Sequence, residues 1–528
     1  MSTVLSILTN LHNCNEAGIT FFENGKAEEV KYGELVSTTP ATAGKLRAAG
    51  VKAGQHVVFQ ITKNRPLIEM FWACIWLGAI PVIAPPAFSA VDAERVNKTI
   101  AMLPDAFVIA DERTMPCLPK EKAILVDEIK AMMAEPIASA YEPNDDTIRL
   151  IQMSSGSTGD PKGILVSEKT LSNAMQATIP SHPQRFKNSM LTWLPLTHNY
   201  SLLGFHVYAM FRKFPQILMP TSDFIMNPLL WFEAVTTYRP TVTVSPNFGF
   251  IHVLRYLKAR GIPDGAKYDF SSVQKLISAS EPVGIKTAEE FAEKMADFGL
   301  RENAIVVAYG MTESCLQIST TGIYEPPQTV NLDRSNVKIG ARYVDIARTD
   351  GAAFVSVGKP VTGMSLSIRD NDGDELDDDV VGEIFITGTS MTRYSITSSG
   401  LLEHNFAEDG YMPTGDIGLV HNDNLFVVAR KKDIIFVNGK NYYSPDLETI
   451  IMEELGQDNV VLGRTNPSTD EEEVVVFVPE SPDAPDDRKI IGALASKAGV
   501  PVSQVVRIPE IPRSANGKKL RRELEELL

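Results

Sequence analysis

Met153-Ser154-Ser155-Gly156-Ser157-Thr158-Gly159-Asp160-Pro161-Lys162-Gly163 is the most informative run in the chain. The apolar stretch TIRLIQM (147–153) leads into it and ILV (164–166) leads out, so a loop between two strands is predicted. Hydroxyls, glycines and one lysine in a tight loop suit a polyphosphate. Glycine lets backbone N–H groups approach the oxygens, the hydroxyls donate, and the lysine neutralises charge. The spacing differs from GxxxxGK[ST], which excludes a Walker loop. The same residues also read as a plain flexible Ser/Gly turn.

Around this loop, apolar runs such as HVVFQI (56–61) and PVIAP (81–85) alternate with helical stretches such as PLIEMFWACIWLG (66–78). The alternation recurs at Val242, Val273–Ile277 and Ile305–Val307, which predicts sheets covered by helices. The chain has 528 residues, beyond the roughly 250–300 that one core supports, so at least two domains are expected. Its hydrophobic share of 44% and charged share of 22% are ordinary for a globular enzyme. The net charge of -16 leaves no electrostatic footprint for nucleic acid or an anionic membrane.

The four cysteines, Cys14, Cys74, Cys117 and Cys315, lack the spacing of a disulfide scaffold or a zinc site. The N-terminus lacks a basic region and a cleavage site, so a reducing cytoplasm is the expected location. The apolar run from Glu69 to Pro86 is interrupted by Pro81 and is shorter than the ~20 residues of a membrane span. It predicts a buried helix running into a strand. DNDGDELDDD (370–379) lacks the spacing of a calcium loop and predicts a solvated hairpin turn.

Composition changes near Arg430. SPDLETIIMEELG, VVVFVPE and the basic end RSANGKKLRRELEELL are helix and strand signals on a smaller scale. About a hundred residues suffice for one compact α/β unit. The expected division is 1–431 and 432–528, through a charged segment with no Pro/Gly spacer, so the two parts should pivot as rigid bodies.

STGDPKG resembles the phosphate loop of the adenylate-forming superfamily, which includes acyl-CoA synthetases, peptide-synthetase adenylation domains and luciferases. Four further stretches resemble that superfamily's motifs in the same order: Tyr309-Gly310-Met311-Thr312-Glu313-Ser314, Pro413-Thr414-Gly415-Asp416, Arg430-Lys431-Lys432-Asp433 with Asn438-Gly439, and Ser514 to Arg521. Each is common alone; five in order over nearly the whole chain are not.

The resemblance implies an α/β multidomain fold: an N-terminal body of two helix-covered sheets plus a β-rich subdomain, and a small mobile C-terminal α/β domain. It also implies ATP and magnesium. Ser154, Ser155, Gly156, Ser157, Thr158, Gly159 and Lys162 would hold the polyphosphate. Tyr309 would stack on adenine beside Gly310 and Met311, with Glu281 also in the nucleotide set. Thr312 would hold the α-phosphate and Glu313 the magnesium. Asp416 would accept both ribose hydroxyls, with Arg430 reaching the ribose. Lys518 would bridge carboxylate and α-phosphate in the transition state, with His198 also in the catalytic set. Lys432 would be the hinge for a second half-reaction; it also reads as one more surface lysine.

Several stretches look closer to fatty-acyl-AMP ligases than to the other branches: LPLTHN (194–199), SPNF (245–248), SEPV (280–283) and NGKNYYSPDLE (438–448). The segment 330–357 lies where that branch carries an insertion thought to hinder coenzyme A. The implied acceptor is the phosphopantetheine thiol of a carrier protein acting in trans, since the chain has no GxDSL segment. The basic stretch Lys518–Arg522 is expected to help meet that carrier. An acyl-CoA synthetase, an adenylation enzyme for an amino or aryl acid, and a nucleotide-binding scaffold are the alternatives. Asn199, Tyr200, Phe205, Asn247, Phe248, Ala279 and Ser280 are expected to line the acyl pocket. Ala279 and Ser280 replace a Gly-Ala pair, and Tyr200, Phe205, His206, Tyr208, Met210 and Phe211 add bulk, which points to a shorter or functionalised acid. These bulky residues also read as ordinary core.

Overall fold

The run from Asn64 to Pro86 folds as its pattern predicts. Helix Asn64–Leu77 buries Leu67, Ile68 and Met70 through Ile75, leaving only the Arg65–Glu69 side charged. It ends at Gly78, whose φ of +81° closes the last turn and whose missing Cβ makes room for the Tyr141 ring. Strand Ile80–Ile83 follows directly, parallel to His56–Gln60. The computed structural model describes residues 4–103, 105–119, 121–154, 161–178, 188–334, 338–347, 351–437, 440–466, 472–481, 484–514 and 517–528.

Two large sheets carry the body. In the first, Ala123–Leu125, Phe107–Ala110, His56–Gln60, Ile80–Ile83 and Ile148–Ser154 run parallel. Lys162–Ser167 and the distant hairpin Tyr394–Thr397/Gly400–Glu403 extend it antiparallel. In the second, Gly18–Glu23, Gln216–Leu218, Met190–Thr192, Val242–Val244, Lys275–Ser278 and Ile305–Tyr309 run parallel.

The expected β-rich part is hydrogen-bonded to this second sheet rather than separate from it. Ser319–Thr320 pairs with Ile305–Tyr309, and Ala352–Pro360, Asn424–Arg430, Met412–His421, Gly382–Gly388 and Met364–Arg369 follow, all antiparallel. Register shifts at Ser356/Gly358, Glu383/Phe385 and Ile417/Gly418 bend these strands over their own apolar clusters, one around Leu419 and Phe426 and one around Ile384 and Ile386. The acidic run 370–379 connects two strands of a hairpin, where Asp370 accepts from the N–H groups of Asp372 and Asp374 at 2.9 Å each.

A short turn, Lys431–Asp433, separates strand Asn424–Arg430 from the C-terminal elements. These are the hairpin Ile434–Val437/Lys440–Tyr443, a three-stranded sheet of Val460–Thr465, Glu472–Pro479 and Val502–Ile508, and helices Ser444–Leu455, Asp487–Ala498 and Arg521–Glu525. They enclose a separate core around Leu447, Ile451, Val476 and Leu494.

Basic residues of the body meet acidic residues of these elements around the intervening cleft. Arg95 pairs with Glu523 at 2.9 Å and Lys286 with Glu453 at 2.6 Å, both part-exposed and worth about 0–1 kcal/mol each. Arg334 is different: it forks onto buried Asp446 at 2.7 and 3.0 Å. Arg334 stands just beyond strand Thr329–Leu332, inside the segment expected to be an insertion. Among the described residues all four cysteines are free thiols, and no helix is long and apolar enough to cross a membrane.

Candidate active site

Four of the sequence motifs leave the carboxyl ends of four neighbouring parallel strands. LPLTHN follows Met190–Thr192, SPNF follows Val242–Val244, Ala279-Ser280-Glu281 follows Lys275–Ser278, and Gly310–Glu313 follows Ile305–Tyr309. In an open α/β sheet that edge is where ligands bind, because the loops diverge there and leave a crevice. The C-terminal elements close over it and leave a cleft of 2610 Å³. A drug-sized ligand needs about 300–1,000 Å³, so this cleft has room for more than one reactant.

One end combines a carboxylate, a guanidinium and a tyrosine. Asp416 and Arg430 face each other across a hairpin, and Arg430 Nε lies 3.1 Å from Asp416 Oδ1. The Tyr309 hydroxyl donates to Asp416 Oδ2 at 2.6 Å. Burial pushes the Asp416 carboxyl above the usual range, while the Arg430 guanidinium and the Tyr309 hydrogen bond oppose that. A carboxylate accepts about four hydrogen bonds, so Asp416 keeps capacity for a diol beside these two partners. Gly310 is obligatory: a Cβ there would sit 2.0 Å from the Leu316 carbonyl oxygen. Met311 and Thr312 line the cleft next to it.

Elsewhere on the cleft, Ser154 and Lys162 are cross-strand partners on either side of the hydroxyl- and glycine-rich run of sequence. Ser155, Gly156, Ser157, Thr158 and Gly159 lie outside the described residues. Lys162 Nζ donates to Glu313 Oε1 at 3.1 Å. A cation therefore already stands beside the one carboxylate expected to hold a metal. Among the described residues no cluster of three or more metal-ligating side chains exists. A single carboxylate fits magnesium, which takes one or two protein oxygens and fills its octahedron with phosphates and water.

Lys518 reaches the cleft from the C-terminal side. Its turn is braced on both flanks: Arg513 forks onto Asp458 at 2.8 and 2.9 Å and donates to the Gly517 carbonyl at 2.7 Å. On the other flank Lys519 donates to Glu448 at 2.7 Å. Gly517, at φ +83°, lies so close to the Phe248 ring that a Cβ would come within 2.1 Å of it. Lys518 is solvent-exposed, yet the surrounding protein and then Arg430 lower its ammonium below the usual value.

His198 Nδ1 accepts from the Tyr200 N–H at 3.3 Å, which leaves Nε2 as the protonated nitrogen. Burial, assisted by the Lys518 charge, lowers its pKa to about 4, so at neutral pH it is an uncharged donor. Asn199 Nδ2 donates to the Cys315 carbonyl at 3.4 Å, and Asn247 Oδ1 accepts from Gly284 N–H at 3.1 Å. Ser280 holds φ at +76°, a strained conformation for a residue with a Cβ and one concentrated at functional sites. Ala279, Ser280, Asn199, Tyr200, Asn247 and Phe248 all line the cleft.

One expectation is corrected. Phe205 is not on the cleft wall; it packs edge-on behind Tyr200, centroids 5.9 Å apart. His206, Tyr208, Met210 and Phe211 are absent from the wall as well. Residues Leu202–Val207 form a widened π-helical turn, which changes the phase of the side chains relative to a regular helix. His206 is instead a core residue, bonded to Trp72 Nε1 at 2.9 Å and Gln216 Oε1 at 3.0 Å. Glu281 lines the cleft; its carboxylate accepts from the Phe248 N–H at 2.5 Å in the first turn of helix Asn247–Arg260, and burial raises its pKa to about 7. In the basic stretch Lys518–Arg522, Lys518 and Arg522 are exposed and the residues between them are partly engaged. Lys519 and Arg521 both bind Glu448 inside the C-terminal unit, at 2.7 and 2.6 Å.

Lys432 is exposed in the connecting turn, at the mouth of the cleft. Sequence reasoning missed Arg334, Thr392 and His404, which carry no local motif.

A family model described as AMP-binding enzyme matches residues 12–394. The chain is 27% identical to the medium-chain fatty acid–[acyl-carrier-protein] ligase JamA of Moorena producens, over 85% of this chain and 80% of that protein. It is 26% identical to a putative acyl-CoA synthetase of Caulobacter vibrioides, over 95% of this chain and 91% of that one. Among solved structures, a fatty acyl-adenylate ligase from a study of the E. coli and L. pneumophila proteins superposes with a TM-score of 0.86 at 22% identity, covering 99% of this chain and 97% of that one. That likeness is one of fold.

Proposed function

The chain belongs to the AMP-binding enzyme family and is an adenylate-forming ligase; from that premise we propose that it activates a carboxylic acid with ATP and passes the acyl group to a carrier-protein thiol. The observation that carries the first half is the convergence of Lys518, Asp416–Arg430 and Lys162–Glu313 on one cleft.

Attack of a carboxylate oxygen on the α-phosphate brings two anions together and expels pyrophosphate, so positioning and charge neutralisation do most of the work. Asp416 and Arg430 hold the ribose and Tyr309 the adenine. Lys518 lies between carboxylate and α-phosphate, and Thr312 donates to the α-phosphate. His198, neutral and protonated on Nε2, donates to the incoming acid. Ser154 and Lys162 hold the polyphosphate with the loop between them. Magnesium on Glu313 would neutralise charge on the departing pyrophosphate. Lys432 is the pivot on which the C-terminal unit, residues 432–528, turns to admit the thiol.

The carrier reading is supported by Arg334, whose fork onto Asp446 ties the inserted segment to the C-terminal unit. Such a tie would limit the swing of the C-terminal unit, which the resemblance links to exclusion of coenzyme A. JamA, a ligase named for an acyl-carrier protein, is a relative of matching length. Transfer to free coenzyme A is the second reading, favoured by the putative acyl-CoA synthetase matching 95% of this chain.

The test is pyrophosphate release with ATP and magnesium across fatty, hydroxy, aryl and amino acids, repeated with coenzyme A and with a phosphopantetheinylated carrier. Acid-dependent release with acyl transfer to the carrier alone is expected. Free acyl-CoA as the product moves the chain to the second reading.

Tyr200, Ala279 and Ser280 are what remains on the cleft wall of the bulk expected there, and on them we rest a short or functionalised acid. Ala279 is buried just after strand Lys275–Ser278 and lines the cleft, and its methyl would take space from a longer acyl chain. Ala279→Gly is expected to shift the preferred acid by one or two carbons, changing the ratio of kcat/KM for longer over shorter acids by about 10-fold. A flat chain-length profile in that variant removes this account of the channel.

A further inference from the structure

His404 is a buried histidine, only 6% exposed, directly after strand Gly400–Glu403 on the cleft wall. Its Nδ1 lies 3.1 Å from the Thr392 carbonyl oxygen, which accepts only from an N–H, so Nδ1 carries the proton. Thr392 is itself fixed to the metal-site residue: its N–H and its hydroxyl donate to the Glu313 carbonyl at 2.8 and 2.9 Å. His404 Nε2 is then a bare lone pair, buried and without a hydrogen-bond partner among the described residues. The charged groups that act on this imidazole are Lys162 and Glu313. Burial first, and the Lys162 charge second, hold it below the usual histidine range, in keeping with a neutral ring.

A buried acceptor with no donor costs about 1–3 kcal/mol, and native structures rarely leave one unmade unless a ligand completes it. A phosphate oxygen cannot complete it, since two acceptors repel. A donor is required. At an end of the cleft that receives polyphosphate and a hydrated cation, the donors on hand are the Lys162 ammonium and a metal-bound water. Lys162 directs one of its three N–H groups to Glu313 at 3.1 Å, and among the described residues no ammonium N–H is within hydrogen-bond distance of His404 Nε2. Magnesium keeps several of its waters when it binds, and those waters are strong, oriented donors.

We propose that His404 is a positioning residue for the metal end of the site, accepting through Nε2 from a water carried by the magnesium ion that Glu313 holds. This rests on the reading of Lys162 and Glu313 given above. Its consequence is specificity for the hydrated ion: the imidazole recognises the water shell and so sets where the cation sits along the polyphosphate.

The test is ATP binding by calorimetry without acid, with and without magnesium chloride, together with the thermal midpoint. The unaltered protein is expected to bind ATP more tightly when magnesium is added. His404→Asn keeps a donor for Thr392 and removes the ε acceptor. It should bind magnesium-free ATP as the unaltered protein does and lose about 10-fold of the magnesium-dependent gain. His404→Gln, which carries an oxygen near the ε position, should regain most of it and serves if the Asn variant does not fold. Equal weakening with and without magnesium would make His404 a partner of Lys162 and overturn the proposal. So would a full magnesium gain in His404→Asn, or its loss in a folded His404→Gln. No magnesium gain in the unaltered protein overturns the metal assignment of Glu313 itself.

Discussion

Lys518→Ala is expected to lower acid-dependent pyrophosphate release by about three orders of magnitude, the scale of losing a group that stabilises charge in the transition state. ATP affinity is expected to change little, because ribose, adenine and polyphosphate are held by groups of the body. The side chain is exposed, and its turn is braced by Arg513–Asp458 and Lys519–Glu448, so the thermal midpoint should not move. Single-turnover release, with ATP affinity measured alongside, separates the effects. Undiminished adenylation would remove Lys518 from the mechanism, and a parallel loss of ATP affinity would make it a ground-state binding group. Lys518→Arg is a useful companion. A guanidinium is wider and planar, and the Gly517 backbone already touches the Phe248 ring, so charge alone should not restore the rate.

Asp416→Ala has the second large effect, and it falls on binding. Two hydroxyls of a ribose would each lose a charge-assisted hydrogen bond, worth about 1.5–3 kcal/mol apiece. The Tyr309 hydroxyl and the Arg430 guanidinium lose their partner at the same time. ATP affinity should therefore fall by about 100-fold or more. Asp416→Asn keeps one acceptor oxygen and should fall between the two. An ATP affinity unchanged in the alanine variant would sink the ribose assignment. Tyr309→Phe isolates the tertiary contact: with the Asp416–Arg430 pair intact, its effect should be several-fold only.

Much of this molecule is legible in its sequence, for a physical reason. Strand and helix periodicity is local, so the helix Asn64–Leu77, its Gly78 cap and the strand after it follow from the residues themselves. The run between Ser154 and Lys162 is readable in the same way as a candidate polyphosphate site, because hydroxyls, glycines and a lysine suit one. The order of the motifs along the chain identifies the superfamily without any coordinates. The hairpin that places Asp416 opposite Arg430 is also a short-range object.

What only the tertiary structure decided is the direction of side chains relative to the cleft, and what meets across long stretches of chain. Tyr309 meets Asp416 across 107 residues, and Arg334 meets Asp446 across 112, through contacts that sheet order and domain closure create. Phe205 and His206 read as pocket residues until a widened turn rotates them into the core. Glu281 lines the cleft, and a neighbouring helix start, distant in sequence, also engages its carboxylate. Lys519 and Arg521 look like surface charge and are held inside by Glu448. His404 belongs to no motif; Thr392, Glu313 and Lys162 give it an environment only when three separate segments are folded together. Local sequence sets which element forms, but the partner of a polar group is chosen by whichever segment the fold brings to it.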